Sequence, residues 1–267
     1  MSALVVLGSG SQGNAFALVY DGAILLLDAG FSLRELDKRL SAAALDPAAL
    51  VGVAITHEHG DHAVGATKLA RRHGVPLLAS MGSWRGVSRG GEPCEWQPLG
   101  SRGACSVGPF TLSACATSHD AAEPIALGVV TPDGCSLGMA TDLGRPTQAV
   151  RWFLRNRHCL VLEANHDATL LRTSGYPLVV QQRIAGPGGH LSNLDCAELL
   201  AEVHHDGLGT VVLAHLSQRC NSAELAERTI AARLSAVGFS GELHLAAQHG
   251  PMAPITLKAP VQGMLFR

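Results

Sequence analysis

The sequence lacks several features that commonly reveal the class of a protein. Aromatic residues make up 4% of the 267 residues, charged residues make up 16%, and the formal net charge is −2. Without an excess of basic residues, the chain has no general field that would attract nucleic acid or a membrane surface. Any polyanion must therefore be bound by a local cluster of positive charge.

Long apolar runs and paired cysteines are also missing. No apolar run approaches the length of a membrane span, and the N-terminal segment MSALVVLGSG has no positive region ahead of its apolar stretch, so we expect neither a membrane helix nor a signal peptide. The seven cysteines are odd in number and never occur in a CxxC spacing, which argues against a disulfide framework and a zinc knuckle. These features predict a protein of the reducing cytoplasm.

What the sequence does contain is a regular succession of short strands and helices. Its length suits one large α/β domain, and without a repeat or long linker we predict a single domain over residues 1–267. The dipeptide Asp21-Gly22 between two apolar runs predicts a hairpin. The predicted strands cover 3–7, 15–20, 23–30, 51–55, 76–79, 105–107, 110–115, 125–131, 135–140, 160–164, 209–215 and 242–247, and the predicted helices cover 31–43, 63–73, 147–156, 192–204 and 222–236. This pattern predicts an α/β fold with two sheets flanked by helices.

A glycine-rich segment near the N-terminus imitates a dinucleotide-binding motif. Residues 8–13 form a GxGxxG after a strand, but that motif needs a helix to begin at its third glycine, so that the helix N-terminus meets the pyrophosphate. Here Asn14 leads directly into the second strand. We therefore interpret the segment as a tight turn whose backbone amides, together with Ser9, Ser11 and Asn14, face a site at the sheet edge.

The most informative segment is THEHGDH, at residues 56–62. It places three histidines and an aspartate in the order HxHxDH at the end of a predicted strand, from which they point toward one space. A zincin HExxH motif would need histidine at position 61, where this chain has aspartate. Imidazole and carboxylate groups suit Zn²⁺ or Mn²⁺. We therefore predict that His57, His59, Asp61 and His62 bind metal.

Further donors follow other predicted strands. Four ligands from one loop would leave two metal ions under-coordinated, so additional ligands are expected from neighbouring loops. The candidates each stand at a strand end or before a helix, where α/β folds place functional groups. They are His119, Asp142, His190 and His215. Any one of them could equally be a loop or capping residue, but their shared placement favours a common site.

Taken in order, these segments resemble a known family. Their order is typical of metallo-β-lactamase fold proteins, and in particular of the YycJ/WalJ group, an exonuclease and phosphodiesterase branch. The segments that carry the resemblance are SGSQGNA, LLDAG, THEHGDH, HDAAEP, TDLG, LEANHD, QRI, GHLSN and LAHLSQRCN. The resemblance implies an αββα four-layer sandwich with two divalent metal ions in the groove between the sheets. It assigns one metal to His57, His59 and His119, the other to Asp61, His62 and His215, and the bridging position to Asp142.

The same resemblance indicates phosphodiester chemistry. Two such ions can make hydroxide from water at neutral pH and hold a phosphoryl oxygen. His190 would be a catalytic residue rather than a ligand, neutralising a phosphate oxygen or protonating the leaving alkoxide, and we count Asp61 with it as catalytic. The sequence therefore predicts a 5′ to 3′ DNA exonuclease that uses a metal-bridging hydroxide, and the polarity is implied by the resemblance alone.

Two other enzyme functions stay open at this point. One is a phosphodiesterase acting on small cyclic or nucleotide substrates, and the other is a nuclease that processes RNA. A metal-binding module without enzymatic activity is disfavoured, because such a protein should have lost at least one of Asp61, Asp142 and His215, and all three are present.

Five residues beside the motifs are candidates for supporting or substrate-binding roles. Asp28 would orient the metal-binding loop or cap its strand. His166 and Asp167 would face the groove or cap the helix that follows. Arg183 and Arg219 flank predicted site residues and are the best candidates to contact phosphates.

Two stretches allow more than one interpretation. Residues 82–97 are interpreted as a loop with partly buried Trp84 and Trp96, and base stacking by these rings is the alternative. The arginines within residues 151–157 fit a solvated helix face as well as a binding surface.

Overall fold

The structure is a computed structural model that describes residues 1–89, 94–100 and 103–258. Numbered in chain order, the strands are β1 (Ser2–Gly8), β2 (Ala15–Tyr20), β3 (Ala23–Leu27), β4 (Leu50–Ala54), β5 (Leu77–Ala79), β6 (Trp96–Pro98), β7 (Cys105–Val107), β8 (Phe110–Ala116), β9 (Ile125–Val130), β10 (Ser136–Ala140), β11 (Cys159–Glu163), β12 (Thr210–Ala214), β13 (Glu242–Leu245) and β14 (Ile255–Thr256). The α-helices are α1 (Leu33–Ala42), α2 (Gly60–Ala63), α3 (Ala66–His73), α4 (Met81–Val87), α5 (Gln148–Leu154), α6 (Ala168–Thr173), α7 (Leu178–Ile184), α8 (Asn193–Val203) and α9 (Ala223–Ala236), and a 3₁₀ turn covers Pro47–Ala49.

The described strands form two mixed sheets of the same design. The first has the order β14-β1-β2-β3-β4-β5-β6 and the second the order β13-β12-β11-β10-β9-β8-β7. In the first sheet, pairing is antiparallel from β14 to β3 and parallel from β3 to β6. In the second, pairing is antiparallel from β7 to β10 and parallel from β10 to β13. Each sheet therefore joins a meander to a parallel part whose strands need crossover connections.

Clusters of buried apolar side chains show how the layers pack. One cluster lies between the two sheets and includes Phe16 of β2 and Phe110 of β8. Two further clusters pack α1 and α3 against the first sheet and α5, α8 and α9 against the second. Each fully buried Phe or Leu side chain stabilises the fold by about 1.5–3 kcal/mol relative to exposure. The arrangement is an αββα sandwich, which confirms the predicted fold class. The assignment of residues 1–267 to one domain stays a prediction.

Local sequence signals explain where several elements end. Asp21 and Gly22 adopt left-handed backbone angles, with φ 47° and 81°, and close the predicted hairpin between β2 and β3. Ser32 caps α1 with its side chain, and Gly74 ends α3 in the left-handed conformation. The glycine-rich residues 8–14 pass from β1 into antiparallel β2 without a helix, which confirms the predicted turn. No helix in the described part of the chain is long and apolar enough to cross a membrane.

The interpretation of residues 82–97 as a loop is wrong for residues 82–87 and 96–97, which lie in α4 and β6, whereas the expected partial burial of Trp84 and Trp96 is confirmed. Helix α4 begins at Met81, where Ser80 caps it by accepting from the Ser83 amide, and β6 begins at Trp96; residues 90–93 lie outside the described residues. The Trp84 and Trp96 rings stack on each other with centroids 5.6 Å apart, and both pack against the core of the first sheet. Each indole therefore presents one face to the other indole, which leaves less surface for stacking on a base.

Candidate metal centre

The predicted metal ligands converge at one edge of the sandwich, where loops follow the strands of both sheets. Their donor atoms form overlapping groups, within each of which the atoms lie within 4.8 Å of one another. The groups are His57, His59 and His119; Asp61, His62 and His215; His57, His62 and Asp142; and Asp142, Glu163, His190 and His215. The structure thus brings all seven predicted ligands together, from loops that follow β4, β8, β10 and β12.

The chemistry of these donors fits a bound cation. His57 is buried, and its Nε2 has no hydrogen-bond partner among the described residues. Burial, followed by the neighbouring His62, holds the pKa of His57 well below its usual value, so the ring is neutral. The Nε2 of His119 and the Nδ1 of His59 face each other at 3.3 Å. A buried ring nitrogen without a partner, such as His57 Nε2, is costly unless a cation accepts its lone pair.

Asp142 lies between the two groups of histidines. Its Oδ2 is 2.7 Å from the Nε2 of His62, while its Oδ1 is 3.7 Å from His119 Nε2 and 3.5 Å from His215 Nε2. Burial would raise the pKa of Asp142, but His215 and His62 outweigh burial and lower it well below its usual value. A charged carboxylate whose oxygens lie within 3.7 Å of ring nitrogens from both groups is suited to bridge two cations.

Three residues of the site hold a left-handed backbone conformation that is uncommon for residues other than glycine. Asp28, Asp142 and His215 have φ 57°, 53° and 54°, and each follows within two residues of the end of a strand. Such conformations cost about 1–3 kcal/mol each and persist where the surrounding structure enforces them, often at functional sites. The chain therefore accepts local strain at the points where it leaves β3, β10 and β12.

Asp28 fixes the orientation of His62. It is fully buried, its Oδ2 lies 2.7 Å from His62 Nδ1, and its Oδ1 accepts from the Thr56 amide at 2.7 Å. The Thr56 hydroxyl in turn lies 3.0 Å from His57 Nδ1. Burial would lower the pKa of His62, but Asp142 and Asp28 raise it well above the usual value. Asp28 therefore holds two of the imidazoles that are predicted to bind metal, His62 directly and His57 through Thr56.

The glycine-rich segment also contacts the predicted metal ligands. The Nδ2 of Asn14 lies 3.1 Å from His62 Nε2 and 3.0 Å from His215 Nδ1, and its Oδ1 accepts from the Ser9 hydroxyl at 2.7 Å. Ser9 also accepts a hydrogen bond from the His215 amide at 2.8 Å. The side chains of this segment thus face the site, as the sequence interpretation expected, and Ser11 lines the cleft above it.

Glu163 is the side chain that the sequence interpretation missed. It is fully buried at the end of β11, with its Oε1 2.7 Å from His190 Nδ1. Its Oε2 accepts from the amides of Leu143 and Leu191 at 2.8 and 3.0 Å. Burial would lower the pKa of His190, but Glu163, and after it Asp142, raises the pKa to about 9. An acidic residue that ends the apolar strand LVLE was a signal that could have identified it.

A cleft of about 200 Å³ opens over the donor groups. Besides the donors, its lining includes Tyr176, Arg183 and Ile184 from the segment around α7. Arg183 is mostly exposed, and its Nε and Nη2 lie 2.8 and 2.7 Å from the same carboxylate oxygen of Asp120. Arg219 does not line the cleft; its guanidinium covers the Tyr176 ring at 4.3 Å. Of the two arginines predicted to contact phosphate, Arg183 therefore lies at the cleft and Arg219 does not.

The two remaining candidates lie outside the cleft lining. Asp167 caps α6, where its Oδ1 accepts from the amides of Thr169 and Leu170 at 2.8 and 2.9 Å, which is the structural role considered for it. His166 is buried beside Ser192, with which it forms an isolated β-bridge. Burial lowers the pKa of His166, so its ring is neutral.

Two mixed sheets between helices, with the HxHxDH donors and the Asp142 carboxylate at their shared edge, are typical of the metallo-β-lactamase fold. Residues 24–216 match the family model of the beta-lactamase superfamily domain. The chain belongs to this superfamily and is a metal-dependent hydrolase.

Its relatives narrow the class further. The chain is 32% identical over 237 residues to exodeoxyribonuclease YycJ of Bacillus anthracis, covering 88% of this chain and 89% of the relative. It is 32% identical over 235 residues to exodeoxyribonuclease WalJ of Streptococcus pneumoniae, covering 86% and 87% of the two chains. The predicted resemblance to the YycJ/WalJ group is thereby confirmed. Among solved structures, the metallo-beta-lactamase fold protein YhfI from Bacillus subtilis aligns with a TM-score of 0.70, at 18% identity, over 94% of this chain and 99% of that one, a likeness of fold.

Proposed function

We propose that this protein is a two-metal phosphodiesterase that shortens DNA strands in the 5′ to 3′ direction. The observation that carries the proposal is the pair formed by Glu163 and His190. It adjoins Asp142, with His190 Nδ1 3.3 Å from Asp142 Oδ1. A donor atom of His190 also lies within 4.8 Å of those of Asp142, Glu163 and His215, but the family resemblance assigns His190 to neither metal, and its hydrogen bond to Glu163 supports a catalytic role. The similarity to exodeoxyribonucleases supports DNA as the substrate, and the polarity follows from the family resemblance.

The metal ions would be Zn²⁺ or Mn²⁺, which imidazole and carboxylate ligands suit. His57, His59 and His119 would hold one ion, Asp61, His62 and His215 the other, and Asp142 both. When bound, such ions activate water and polarise a phosphoryl oxygen.

His190 would supply the proton that a phosphodiester leaving group needs. Because Glu163 accepts from Nδ1, Nε2 remains to meet the substrate, and a pKa of about 9 keeps the imidazole charged at neutral pH. A charged ring can neutralise a phosphate oxygen or protonate the departing alkoxide. Asp61 also lines the cleft, and as a carboxylate it can accept a proton from the attacking water in addition to holding a metal.

Substrate phosphates would meet few positive charges. Arg183 lies at the cleft, whereas Arg219 stands behind Tyr176, and the chain as a whole carries a net charge of −2. Affinity for duplex DNA should therefore fall only modestly with salt, with a slope of about −0.9 per phosphate contacted. A steep slope would reveal a basic surface that these contacts do not include.

The test is a side-by-side assay of labelled duplex DNA, single-stranded DNA, RNA and bis-p-nitrophenyl phosphate with Zn²⁺, with Mn²⁺ and with a chelator. We expect metal-dependent shortening of DNA from its 5′ end. Cleavage of RNA alone would make the protein an RNA-processing nuclease, and turnover of the small ester alone would make it a small-molecule phosphodiesterase. Hydrolysis of a β-lactam or thioester without any phosphodiester cleavage would overturn the proposal.

A matched variant separates catalysis from metal binding. His190→Ala should keep the metal content of the wild type and lower turnover by about 10²–10⁴-fold, the usual contribution of a positioned acid. Loss of metal from this variant would make His190 a ligand, and unchanged turnover would remove it from the mechanism.

We also propose that the protein works in the cytoplasm. All seven cysteines are free thiols, and five of them are buried, which is the state expected in a reducing compartment.

A further inference from the structure

One wall of the cleft carries an aromatic ring that the metal chemistry does not use. Among the described residues that line the cleft, Tyr176 is the one Phe, Tyr or Trp. It precedes α7, and it lies in the same cleft as Asp142 and His190. A tyrosine that shares a cleft with the proposed catalytic groups, but has no ligand or proton-transfer role, is placed to contact the substrate.

The backbone of Tyr176 is held by neighbouring residues, and its ring is contacted by Arg219. The Tyr176 amide donates to the Ser174 hydroxyl at 3.2 Å, and its carbonyl accepts from Gln181 Nε2 at 2.8 Å. The Arg219 guanidinium lies 4.3 Å from the ring centroid, and Arg219 Nε donates to the Ser174 carbonyl at 2.9 Å. One face of the ring is therefore backed by a cation that is itself anchored. A ring fixed before the substrate arrives loses little entropy on binding.

The surroundings of the ring suit a flat apolar group that is attached to a phosphate. Leu178 and Val179, on the first turn of α7, are 68% and 70% exposed, so the helix presents apolar surface beside the tyrosine. Arg183, at the other end of the same helix, lines the cleft. Aromatic rings combined with arginines are the usual means of holding unpaired nucleobases, because each base offers a π-face and is joined to an anionic phosphate.

We propose that Tyr176, backed by Arg219, is a stacking platform for the nucleobase adjacent to the bond that is cleaved. The proposal rests on the proposed function and adds a base-binding subsite to it. Because every base has a π-face, the platform would detect that a base is present without distinguishing its identity. It would favour a strand end, whose base can leave its neighbours, over phosphodiesters that carry no base.

The experiment compares two oligonucleotides that differ in one position. One has a normal nucleotide beside the first scissile bond, and the other has an abasic residue there. For the wild type with Mn²⁺, KM should be about 5- to 150-fold higher for the abasic substrate, the range that base–aromatic stacking spans, with kcat nearly the same. Tyr176→Phe should retain this ratio of KM values, whereas Tyr176→Leu should reduce it to about one.

Two further variants complete the test. Arg219→Gln should reduce the ratio partly, because the ring stays but loses its cationic support. Trp152→Leu is the matched control: Trp152 is 75% exposed on α5 and does not line the metal cleft, so the ratio should stay at the wild-type value.

The outcomes separate the subsite from the nuclease function. If the wild type cleaves both oligonucleotides with equal KM, the platform is refuted and the nuclease remains. An equal rise of KM for both substrates in Tyr176→Leu would also refute the platform, because it would assign Tyr176 a structural role. If the wild type loaded with metal cleaves neither oligonucleotide, the proposed function fails and the subsite fails with it.

Discussion

Replacing Glu163 by glutamine tests how His190 keeps its charge. Glu163 uses both oxygens, Oε1 toward His190 Nδ1 and Oε2 toward the amides of Leu143 and Leu191. Glutamine has one oxygen, and leaving a buried amide unpaired costs about 1–3 kcal/mol, so the oxygen should stay with the two backbone amides. The NH₂ group then faces His190 Nδ1, which must accept a hydrogen bond. A protonated imidazole cannot accept one.

The size of the effect follows from the pKa of His190. With a pKa of about 9, nearly all of the His190 is protonated at about pH 7.5, whereas at the ordinary value of about 6.5 only about one tenth would be. Because burial also lowers this pKa, Glu163→Gln should reduce kcat at about pH 7.5 by at least about tenfold. The loss should diminish only well below about pH 6.5, once the pH reaches the lowered pKa of His190 in the variant.

The same shift has a consequence for stability. The folded-state pKa of His190 is raised, so the stabilisation from its pairing with Glu163 is fully present below the unfolded value of about 6.5 and is lost as the pH rises through about 9. The difference in melting temperature between wild type and Glu163→Gln should therefore become smaller as the pH is raised from about 6.5 to about 9.

The assay is the pH profile of kcat on DNA, with the metal content measured in each variant. The alkaline limb should move to lower pH in Glu163→Gln while both metals stay bound. Glu58→Gln is the matched control, because Glu58 also accepts from a backbone amide, that of Ala122 at 2.7 Å, and from the Ser83 hydroxyl at 3.3 Å, without a contact to His190. An alkaline limb that stays in place, or that moves equally in the control, would refute the reasoning.

Two further predictions concern the metal centre. Asp142→Ala should weaken the binding of both ions, because Asp142 faces donors of both histidine groups, whereas His119→Ala should mainly weaken the binding of one. Elemental analysis of the purified proteins measures the metal content. A wild type that takes up neither Zn²⁺ nor Mn²⁺ would contradict the dinuclear assignment. Asp28→Asn should lower metal affinity by about 10–100-fold in a chelator competition, because its single oxygen cannot serve both the Thr56 amide and His62 Nδ1. Unchanged affinity would remove Asp28 from the support of the centre.

The strands and longer helices could be predicted because their signals are local. The predicted strand 15–20 matches β2, and the predicted helix 222–236 begins one residue before α9 at a serine cap. Helices α6 and α7, which are 6 and 7 residues long, are absent from the predicted helices. Helix α7 also exposes apolar residues in its first turn and buries none of its residues, so it lacks the periodic apolar face that identifies a helix in a sequence.

The donors of the site were predictable for a similar reason. HxHxDH concentrates ligand types within one loop, and His119, Asp142 and His215 stand at strand ends that the sequence marks clearly. The partnership of Glu163 with His190 spans 27 residues and exists only in the folded chain. The left-handed backbone at Asp28 and Asp142 could not be predicted either, because aspartate, unlike glycine, does not by itself indicate a positive φ.

The arginines show why phosphate contacts are the hardest feature to predict. Proximity to motifs made Arg183 and Arg219 equivalent candidates, but one lines the cleft and the other backs a tyrosine. Within the 151–157 cluster, Arg151 pairs with Glu202, and Arg157 Nε donates to a backbone carbonyl. The number of positive charges therefore says little about the number that meet a substrate. Asp120 holds the Arg183 guanidinium at the cleft and offsets its charge, so this site would recognise phosphate by the fixed position of a few groups rather than by a basic field, consistent with a chain of slightly negative net charge.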